Sequence, residues 1–242
     1  MRLLGDYHTH TVYSHGTSTV EENVLEAINK GLKTIAIAEH GPGHIFYGVS
    51  WDNLRKMKRE IEELRIKYDG QIEILFGLEA NIMDFNGHLD VTTEEAKEFD
   101  FLACGFHNGA IPRDFIGRVL YSPIRHFQKI SKSFEKKIID LATDTMIKAT
   151  YNYDLKFLTH PGAKFYVDAK RLATEMNPNT ALEINNKHGY LDIEQLKSIK
   201  DLSCKLIINS DAHSASSVGN VELALKRLEN SGIPKDRVIN IG

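Results

Sequence analysis

The sequence has little of several features that would assign it to a specialised class of protein. Among its 242 residues are only two cysteines, Cys104 and Cys204, and both lie in apolar, strand-like runs. We therefore expect two buried free thiols in a reducing compartment rather than a disulfide framework. No apolar run approaches the ~18 residues of a membrane helix, and the first ten residues lack a signal-peptide pattern, so a cytoplasmic protein is expected.

A surplus of positive charge is also missing. The chain has 30 Lys and Arg against 33 Asp and Glu, a formal net charge of -3 with histidine neutral. This balance argues against a basic surface for long nucleic acids and against a polybasic membrane anchor. Hydrophobic residues make up 42% of the chain, which is enough for a sizeable core. The composition indicates a globular protein whose partner is neither a membrane nor a long nucleic acid.

Short apolar runs alternate with segments of helical periodicity along the chain. Seven runs predict strands, at 2–10, 32–40, 71–80, 99–107, 155–160, 180–186 and 204–213. The segments between and after them predict helices, at 18–31, 51–68, 92–99, 134–153, 167–176, 192–202 and 220–232. Strict alternation predicts a parallel sheet with helices outside it, and seven units in 242 residues favour a closed or nearly closed barrel. We find no linker and predict one domain over residues 1–242.

Histidine is abundant, with eleven residues, and its positions follow the predicted strands. Residues of metal-binding type end or follow six of the seven strands; in chain order they are His8, His10, His15, His40, Glu79, His107, His160, Asp211 and His213. The C-terminal ends of parallel barrel strands open onto one face, so these side chains are expected to meet in one mouth. Residues i and i+2 of a strand point to the same side, which lets the H-x-H and D-x-H pairs face the interior. The pattern predicts a site for more than one metal ion.

A structural role is the ordinary alternative for each of these residues taken alone. A single histidine at a strand end more often forms hydrogen bonds in the core or the rim, and one H-x-H pattern is weak evidence. Gathering so many ionisable side chains would be costly without a cation to coordinate their lone pairs, which favours the metal site. His44 is a further candidate for a substrate-side role, whereas His88, His126 and His188 are expected to be loop residues.

The motifs in this order resemble the PHP superfamily, named for polymerase and histidinol phosphatase domains. They are HTH (8–10), EHG (39–41), GLEANI (77–82), GFH (105–107), THPG (159–162), EINN (183–186) and SDAH (210–213), with His15 after the first. The EANI, HPG and LEINN motifs are most similar to the small stand-alone phosphatases of the YcdX type. The resemblance covers essentially the whole chain and implies a distorted (β/α)7 TIM-like barrel with a trinuclear metal centre.

The resemblance also implies how the ligands divide among three divalent metal ions. The first ion would take His8, His10, Glu79 and Asp211. The second would take His107 and His160, with Glu79 bridging, and the third would take His15, His40 and His213. Donors rich in nitrogen suit zinc, manganese or iron and are poor for calcium or magnesium. No cysteine is among them, which excludes a closed thiolate zinc site.

The activity that the resemblance implies is hydrolysis of small phosphate monoesters. A hydroxide bridging the first two ions would attack phosphorus, because metal binding lowers the pKa of water to about 7. The metal ions would neutralise the charge that develops on the phosphoryl oxygens. We predict Glu79, Asp211 and His15 as catalytic residues, and Asp211 or a metal-bound water as the proton donor to the leaving alkoxide.

Side chains near the ligands are candidates for binding the phosphorylated substrate. Arg113 and Arg125 lie in the segment after His107, Lys164 follows THPG, and Asn185 ends the one strand without a ligand. Solvated loop charge is an equal alternative for each cation, and Asn185 or its neighbour Asn186 could instead orient a histidine.

The 108–133 segment is long for a compact barrel, and such loops are often lids or binding elements. Its aromatic residues, and two more after the second strand, could shape the pocket: Phe115, Tyr121, Phe127, Tyr47 and Trp51.

Three other functions are compatible with the sequence. A histidinol-phosphate phosphatase of histidine biosynthesis would use the same metal core with different substrate loops. A phosphodiesterase acting on nucleotides is a further reading, although the acidic balance counts against long nucleic acids. A non-catalytic metal-binding barrel would leave no open coordination position, whereas seven histidines and two carboxylates spread over three ions leave vacancies at each.

Overall fold

Seven parallel strands form the centre of the molecule. The structure, a computed structural model, describes residues 1–110, 112 and 132–242. The strands follow one another around the sheet in chain order. Their bounds are β1 Gly5–Asp6, β2 Thr34–His40, β3 Glu73–Asn81, β4 Phe101–Gly105, β5 Leu155–Leu158, β6 Ala181–Asn185 and β7 Lys205–Asn209. The predicted (β/α)7 barrel is confirmed.

Helices connect the strands on the outside of the sheet. The α-helices of the described ranges are α1 Val20–Asn29, α2 Trp51–Lys67, α3 Lys132–Asn152, α4 Ala169–Glu175, α5 Ile193–Ser198 and α6 Glu222–Ser231. Single turns of 3-10 helix add Glu95–Glu98, Ala215–Ser217 and Lys235–Arg237. The segment 92–99, for which the sequence predicts a short helix or a helical turn, forms one 3-10 turn, and the chain becomes extended at Phe99 (φ -104°, ψ 151°) to enter β4. Within the described ranges, none of these helices combines the length and apolar character needed to cross a bilayer.

Local sequence explains where the principal helices begin and which face they bury. Thr19 and Glu22 form a reciprocal capping box at the start of α1, which satisfies two of the backbone N–H groups that a helix leaves unpaired. In α2 the apolar residues at spacings of three and four are the buried ones: Leu54, Met57, Ile61 and Leu64. This face packs on the sheet, as the 3.6-residue period requires.

The first and last strands are shorter than the sequence predicts. β1 pairs with β2 only at Gly5 and Asp6, although 2–10 was expected to be extended throughout. β7 ends at Asn209 rather than continuing to position 213, because Asp211 takes a left-handed backbone conformation (φ 55°) that interrupts the strand. The H-x-H and D-x-H pairs therefore lie just beyond their strands.

Two devices close the barrel between β1 and β7. At the C-terminal end of the strands, Thr9 and Ala212 form an isolated parallel bridge, in which the N–H of His10 donates to Ala212 O over 2.8 Å. At the opposite end, the last residues of the chain fill the gap, where Leu206 pairs with Val238 and Leu3 with Ile241. The closure keeps β1 and β7 together and so brings the segments that follow these two strands into the mouth.

The barrel interior changes from apolar to polar toward the mouth. A small cluster of Ala103, Phe157, Ala181 and Ile207 lies on four neighbouring strands, separate from the large core between sheet and helices. Because side chains alternate along a strand, the residues two positions further on point the same way. These are polar in β6 and β7, where they are the fully buried Glu183 and Asn209. A polar layer therefore separates the apolar floor from the strand ends.

Candidate metal centre

All nine ligands that the resemblance implies lie around one mouth of the barrel. His40 is the last residue of β2, and Glu79 lies beside it in β3 through the pairing of the two strands. His107 and His160 each follow their strand by two residues. The bridge between Thr9 and Ala212 brings together the remaining ligands, which follow the first and the last strand: His8, His10, His15, Asp211 and His213. Because the strands are parallel and close into a barrel, residues about 200 positions apart in sequence lie next to one another at this mouth.

Glu79 occupies the centre of this cluster. Its side chain is buried, and its two oxygens approach ring nitrogens at distances from 2.9 Å (His40 Nδ1) to 3.6 Å (His10 Nε2). The histidines around it number five: His8, His10, His40, His107 and His160. One carboxylate surrounded by five imidazoles can bridge cations that the imidazoles hold on different sides.

Several coordinating atoms of the cluster are buried and form no well-directed hydrogen bond within the described residues, although some of them lie close to one another. They are His8 Nε2, His10 Nε2, His40 Nδ1, His107 Nδ1 and Glu79 Oε2. Burying such atoms without partners is unfavourable, and coordination to a cation would use their lone pairs. The donor set, imidazole with carboxylate and without thiolate, fits divalent transition-metal ions such as zinc, manganese or iron.

The ligand atoms fall into four groups of three, within which all atoms lie within 4.8 Å of one another. The groups, found among the described residues, are His10, His15 and His40; His8, His10 and Asp211; His40, Glu79 and His107; and His160, His188 and Asp211. The second group contains three of the four ligands implied for the first ion. The position of His40 differs from the one that the implied division of ligands gives it, because His40 lies beside Glu79 as well as beside His15. His213 joins the cluster through its Nε2, which is 2.6 Å from Nε2 of His15.

The electrostatics of the cluster favour an ionised Glu79 and the neutral forms of His15 and His107. Burial opposes ionisation of Glu79, but His107, His8 and His40 together hold the pKa of its carboxyl well below the ordinary value. Burial, together with neighbouring histidines, lowers the pKa of His107 and that of His15 to about 3. Neutral imidazole and ionised carboxylate are the forms that bind metal ions.

His8 is the exception among these imidazoles. Its burial disfavours the charged form, but Glu183, Glu79 and Asp211 raise its pKa well above the ordinary value. A cation that binds His8 would therefore displace a proton from it.

Two buried carboxylates hold the ring nitrogens that face away from the mouth. Glu183 Oε1 accepts from His8 Nδ1 over 2.8 Å, and Glu39 Oε2 lies 3.3 Å from His10 Nδ1. A carboxylate on the far nitrogen fixes the ring orientation and raises its basicity as a ligand. Both glutamates lie in motifs that carried the resemblance, EHG and EINN, but neither received a role from the sequence. A charged residue inside a buried strand was the signal that could have identified them.

Two ligands have strained backbones. His160 has φ 28° and Asp211 has φ 55°, in the left-handed region that residues other than glycine rarely adopt. Side chains of β6 support both: Glu183 Oε2 accepts from the N–H of His160 over 2.7 Å, and Asn185 Nδ2 donates to Asp211 Oδ2 over 3.2 Å. Such conformations persist where the surroundings hold them, and they are common at functional sites.

The mouth encloses a cavity of about 190 Å³. Beside the ligands it is lined by Tyr47, Asn108, Lys164 and Lys187, so Lys164 and Tyr47 lie where the sequence predicts. His44 also lines the cavity, at a distance of 5.2 Å between its ring centroid and that of His40. The volume is below the ~300 Å³ of common ligand pockets, which suits a small substrate.

Other predicted pocket residues lie elsewhere. Trp51 begins α2 and packs on the core beside Phe99, not on the cavity. Asn185 is fully buried beneath the mouth, where it orients Asp211, and Asn186 accepts from the backbone N–H groups of Leu223 and Ala224 at α6. Asn185 therefore does not line the cavity, and its side chain contacts an aspartate rather than the ring of a histidine. Arg113, Arg125, His126 and the aromatic residues of the 108–133 segment lie outside the described residues.

The sequence reading missed two residues of the segment after β6. Lys187 Nζ is 3.0 Å from His213 Nδ1 and 3.6 Å from Asp211 Oδ1. His188, expected to be an ordinary loop residue, lines the cavity, with its ring centroid 5.0 Å from that of His160. Both are placed by Asn185, whose Oδ1 accepts from their backbone N–H groups over 2.9 Å. The turn itself is local, but its position beside His160 and Asp211 is a tertiary feature that spacing along the chain did not indicate.

A larger groove of about 910 Å³ lies at the opposite end of β2 and β3. Of the charged side chains that line it, Arg65 pairs with Asp100, and Glu73 accepts from Thr34 Oγ1. It has no histidine, so the chemistry of the molecule is concentrated at the mouth.

Comparison with known proteins identifies the family. The PHP domain model matches residues 6–195 of the chain. The chain belongs to the PHP family. The resemblance read from the motifs is therefore confirmed, and so is the predicted enzyme class, a phosphoric ester hydrolase, at the level of the family.

The PHP relatives cover nearly the whole chain. A protein named as a probable phosphatase of Thermoanaerobacter sp. (strain X514) is 30% identical over 257 residues, which cover 99% of this chain and 91% of the relative. One of Proteus mirabilis (strain HI4320) is 31% identical over 248 residues, covering 97% and 89%. The histidinol phosphate phosphatase of Lactococcus lactis, solved with zinc, L-histidinol and phosphate, has the same fold: its TM-score is 0.56 at 17% identity, covering 97% of this chain and 95% of that protein.

Proposed function

We propose that this PHP protein hydrolyses small phosphate monoesters at a centre of three divalent metal ions. The observation that carries the proposal is the arrangement around Glu79, a buried carboxylate with five imidazoles, several of whose donor atoms have no hydrogen-bond partner among the described residues. A structural cluster would join these atoms by well-directed hydrogen bonds to one another or to the backbone. A cluster built for cations leaves lone pairs that no hydrogen bond uses.

The proposed roles follow from position. Glu79 would bridge ions because both of its oxygens face imidazoles from different strands. Asp211 Oδ1 faces Nε2 of His8 and of His10, at 4.0 and 3.7 Å, and would share their ion. His15, near the solvent side of the cluster, would hold the outermost ion with His213. Bound metal ions supply an activated water and positive charge for the phosphoryl oxygens.

The chain's own cations would complete the substrate site. Lys164 and Lys187 both line the cavity, and ammonium groups attract the dianionic phosphoryl group of a monoester. The cavity has room for a phosphoryl group and a small leaving group, which favours monoesters over polymeric substrates. The curated relatives named as phosphatases and the phosphate-bound Lactococcus enzyme support the same substrate class.

The activity is tested directly with p-nitrophenyl phosphate. Purified metal-free protein is loaded with zinc, manganese or iron, its metal content is measured, and hydrolysis is followed at neutral pH. We expect turnover with at least one of these metals. A panel of histidinol phosphate, sugar phosphates and nucleotides then separates the histidinol-phosphate and phosphodiesterase alternatives. Absence of turnover on every substrate at full metal content would refute the proposal.

The central role of Glu79 gives a first prediction for a variant. Glu79→Ala should abolish hydrolysis and reduce the metal content by two ions, because the bridging carboxylate is lost. The matched control is Glu73→Ala in the same strand, whose side chain lies at the other end of β3 and accepts from Thr34 Oγ1. The control should keep metal and activity. Metal content equal to that of the unaltered protein in Glu79→Ala, measured by inductively coupled plasma mass spectrometry, would contradict the bridging role.

A further inference from the structure

His188 lies among the ligands, although neither the implied ligand division nor the sequence reading assigns it a role. Its Nε2 is 3.6 Å from Asp211 Oδ2, and its ring lies at 70° to that of His160 with centroids 5.0 Å apart. Ligand atoms of the three residues lie within 4.8 Å of one another. The imidazole has no hydrogen bond to any other part of the described chain, so its nitrogens are available to a ligand.

The separation of His188 and Asp211 suits a shared cation better than a hydrogen bond. A hydrogen bond between nitrogen and oxygen normally spans ~2.7–3.2 Å. Two atoms that bind one tetrahedral zinc at ~2.0–2.2 Å from it lie about 3.3–3.6 Å apart. The 3.6 Å between Nε2 and Oδ2 falls at the upper end of that range.

Asp211 divides its oxygens between two sides of the cluster. Oδ1 faces Nε2 of His8 and His10, at 4.0 and 3.7 Å, whereas Oδ2 faces His188. An ion on the Oδ2 side would therefore be distinct from the one between His8 and His10. The carboxylate oxygen keeps a lone pair for it beside the hydrogen bond that Asn185 Nδ2 donates over 3.2 Å.

Asn185 holds both halves of this arrangement. Its Nδ2 fixes the Asp211 carboxylate, and its Oδ1 accepts from the backbone N–H of His188 over 2.9 Å. The amide is fully buried, so the turn that carries His188 is anchored to the polar layer and does not depend on the surface.

We propose that His188 is a metal ligand, which binds an ion together with His160 and Asp211. The segment after β6, the one strand without an assigned ligand, would thereby contribute a ligand to the metal centre. The inference rests on the metal centre of the proposed function and adds a residue to it. The His188 side chain is 29% exposed, against 5% for His160 and 4% for Asp211. The ion on this side of the cluster is therefore expected to be partly accessible to solvent and to exchange readily through the His188 side.

The test uses metal binding rather than activity. Metal-free full-length protein is titrated with cobalt(II), whose visible spectrum reports coordination, and bound equivalents are counted by mass spectrometry after dialysis against limiting metal. In His188→Ala we expect the weakest-binding ion to dissociate at least tenfold more readily, with a changed cobalt spectrum and an unchanged unfolding midpoint of the metal-free protein. The matched control is His88→Ala, whose imidazole is 56% exposed and pairs with Asp84 away from the cavity.

The outcomes separate this inference from the proposed function. Equal cobalt equivalents, affinities within twofold and an identical spectrum in His188→Ala would overturn the role of His188 while leaving the metal centre intact. The same loss in His88→Ala would also overturn it, because the effect would not be specific to the cavity. Failure of the unaltered protein to bind cobalt at all would instead refute the metal centre and the proposed function.

Discussion

Glu183 shows how much a single buried residue determines in this molecule. Its two oxygens accept four hydrogen bonds, from His8 Nδ1, Asn209 Nδ2, the N–H of His160 and Asn185 Nδ2, at 2.7–2.9 Å. Burial opposes its ionisation, but His8 and the other donors hold the pKa of its carboxyl below the ordinary value. One carboxylate thereby orients two candidate ligands, one through its ring and one through its backbone.

Replacing this carboxylate by an amide gives a prediction at the scale of the residue. In Glu183→Gln the amide N–H₂ must face two of the four donors, because each carboxylate oxygen accepts from two, so hydrogen bonds become repulsive contacts and His8 loses its charged partner. We expect metal affinity to fall 10- to 100-fold, as is typical when such a supporting carboxylate is removed. Metal affinity is measured by competition with a chelating dye.

The control for Glu183→Gln is Glu194→Gln, which makes the same chemical change in a glutamate on α5 that is 81% exposed. It should bind metal as the unaltered protein does. Unchanged affinity in Glu183→Gln would show that ring orientation does not depend on this carboxylate.

At the scale of the element, α1 anchors the segment that carries the first ligands. Asn23 of α1 is fully buried, and its Nδ2 donates to the carbonyl of His10 over 3.0 Å. The helix begins at the capping box of Thr19 and Glu22, where the N–H of Glu22 donates to Thr19 Oγ1 over 3.2 Å and the N–H of Thr19 to Glu22 Oε2 over 2.7 Å. The start of α1 therefore influences the position of the H-x-H pair from outside the barrel.

Thr19→Ala should destabilise the protein by about 1 kcal/mol, the usual cost of losing a helix N-cap. Urea unfolding of the metal-free protein measures the change in the free energy of unfolding. Thr174→Ala, also an exposed threonine, near the end of α4, removes only a hydroxyl that donates to Lys170 O within the helix and should change stability by less than about 0.5 kcal/mol. Equal effects of the two substitutions would contradict the capping role.

At the scale of the whole molecule, closure of the barrel depends on the last residues of the chain. Asn240 is buried between β1 and β7, where its Nδ2 donates to the carbonyls of Gly5 and Ile208 at 2.8 and 2.6 Å. Its Oδ1 accepts from the N–H of Ile208 over 3.0 Å. A single amide thus joins the first and last strands at the end opposite the metal centre.

Asn240→Ala should lower the free energy of unfolding by at least about 2 kcal/mol, because it leaves several buried backbone groups without partners. Asn230→Ala, at an exposed position in α6, is the matched control and should have little effect. Both are compared by urea unfolding of the metal-free protein. Stability of Asn240→Ala equal to that of the control would show that this end of the barrel does not need the bridge.

Much of this architecture could be predicted from the chain alone, because the decisive patterns are local. Strand and helix periods are visible within ten to twenty residues, and parallel strands place their C-terminal ends on one face whatever the details. For this reason the sequence predicts the barrel, its mouth and the candidate ligands around it, and the motifs indicate the family.

The sequence by itself determined the order of the elements and the set of metal-binding side chains carried by their ends. The tertiary structure alone decided which side chains share a space: that His40 adjoins Glu79, that Glu183 supports His8, and that His188 lies beside Asp211. These contacts depend on barrel closure between β1 and β7, on left-handed turns at ligand positions and on a buried amide that fixes a loop. Barrel closure and the hydrogen bond from Asn185 to Asp211 couple residues far apart in sequence, and the left-handed turn at His160 is supported by Glu183 of another strand, so no local pattern encodes the shared space.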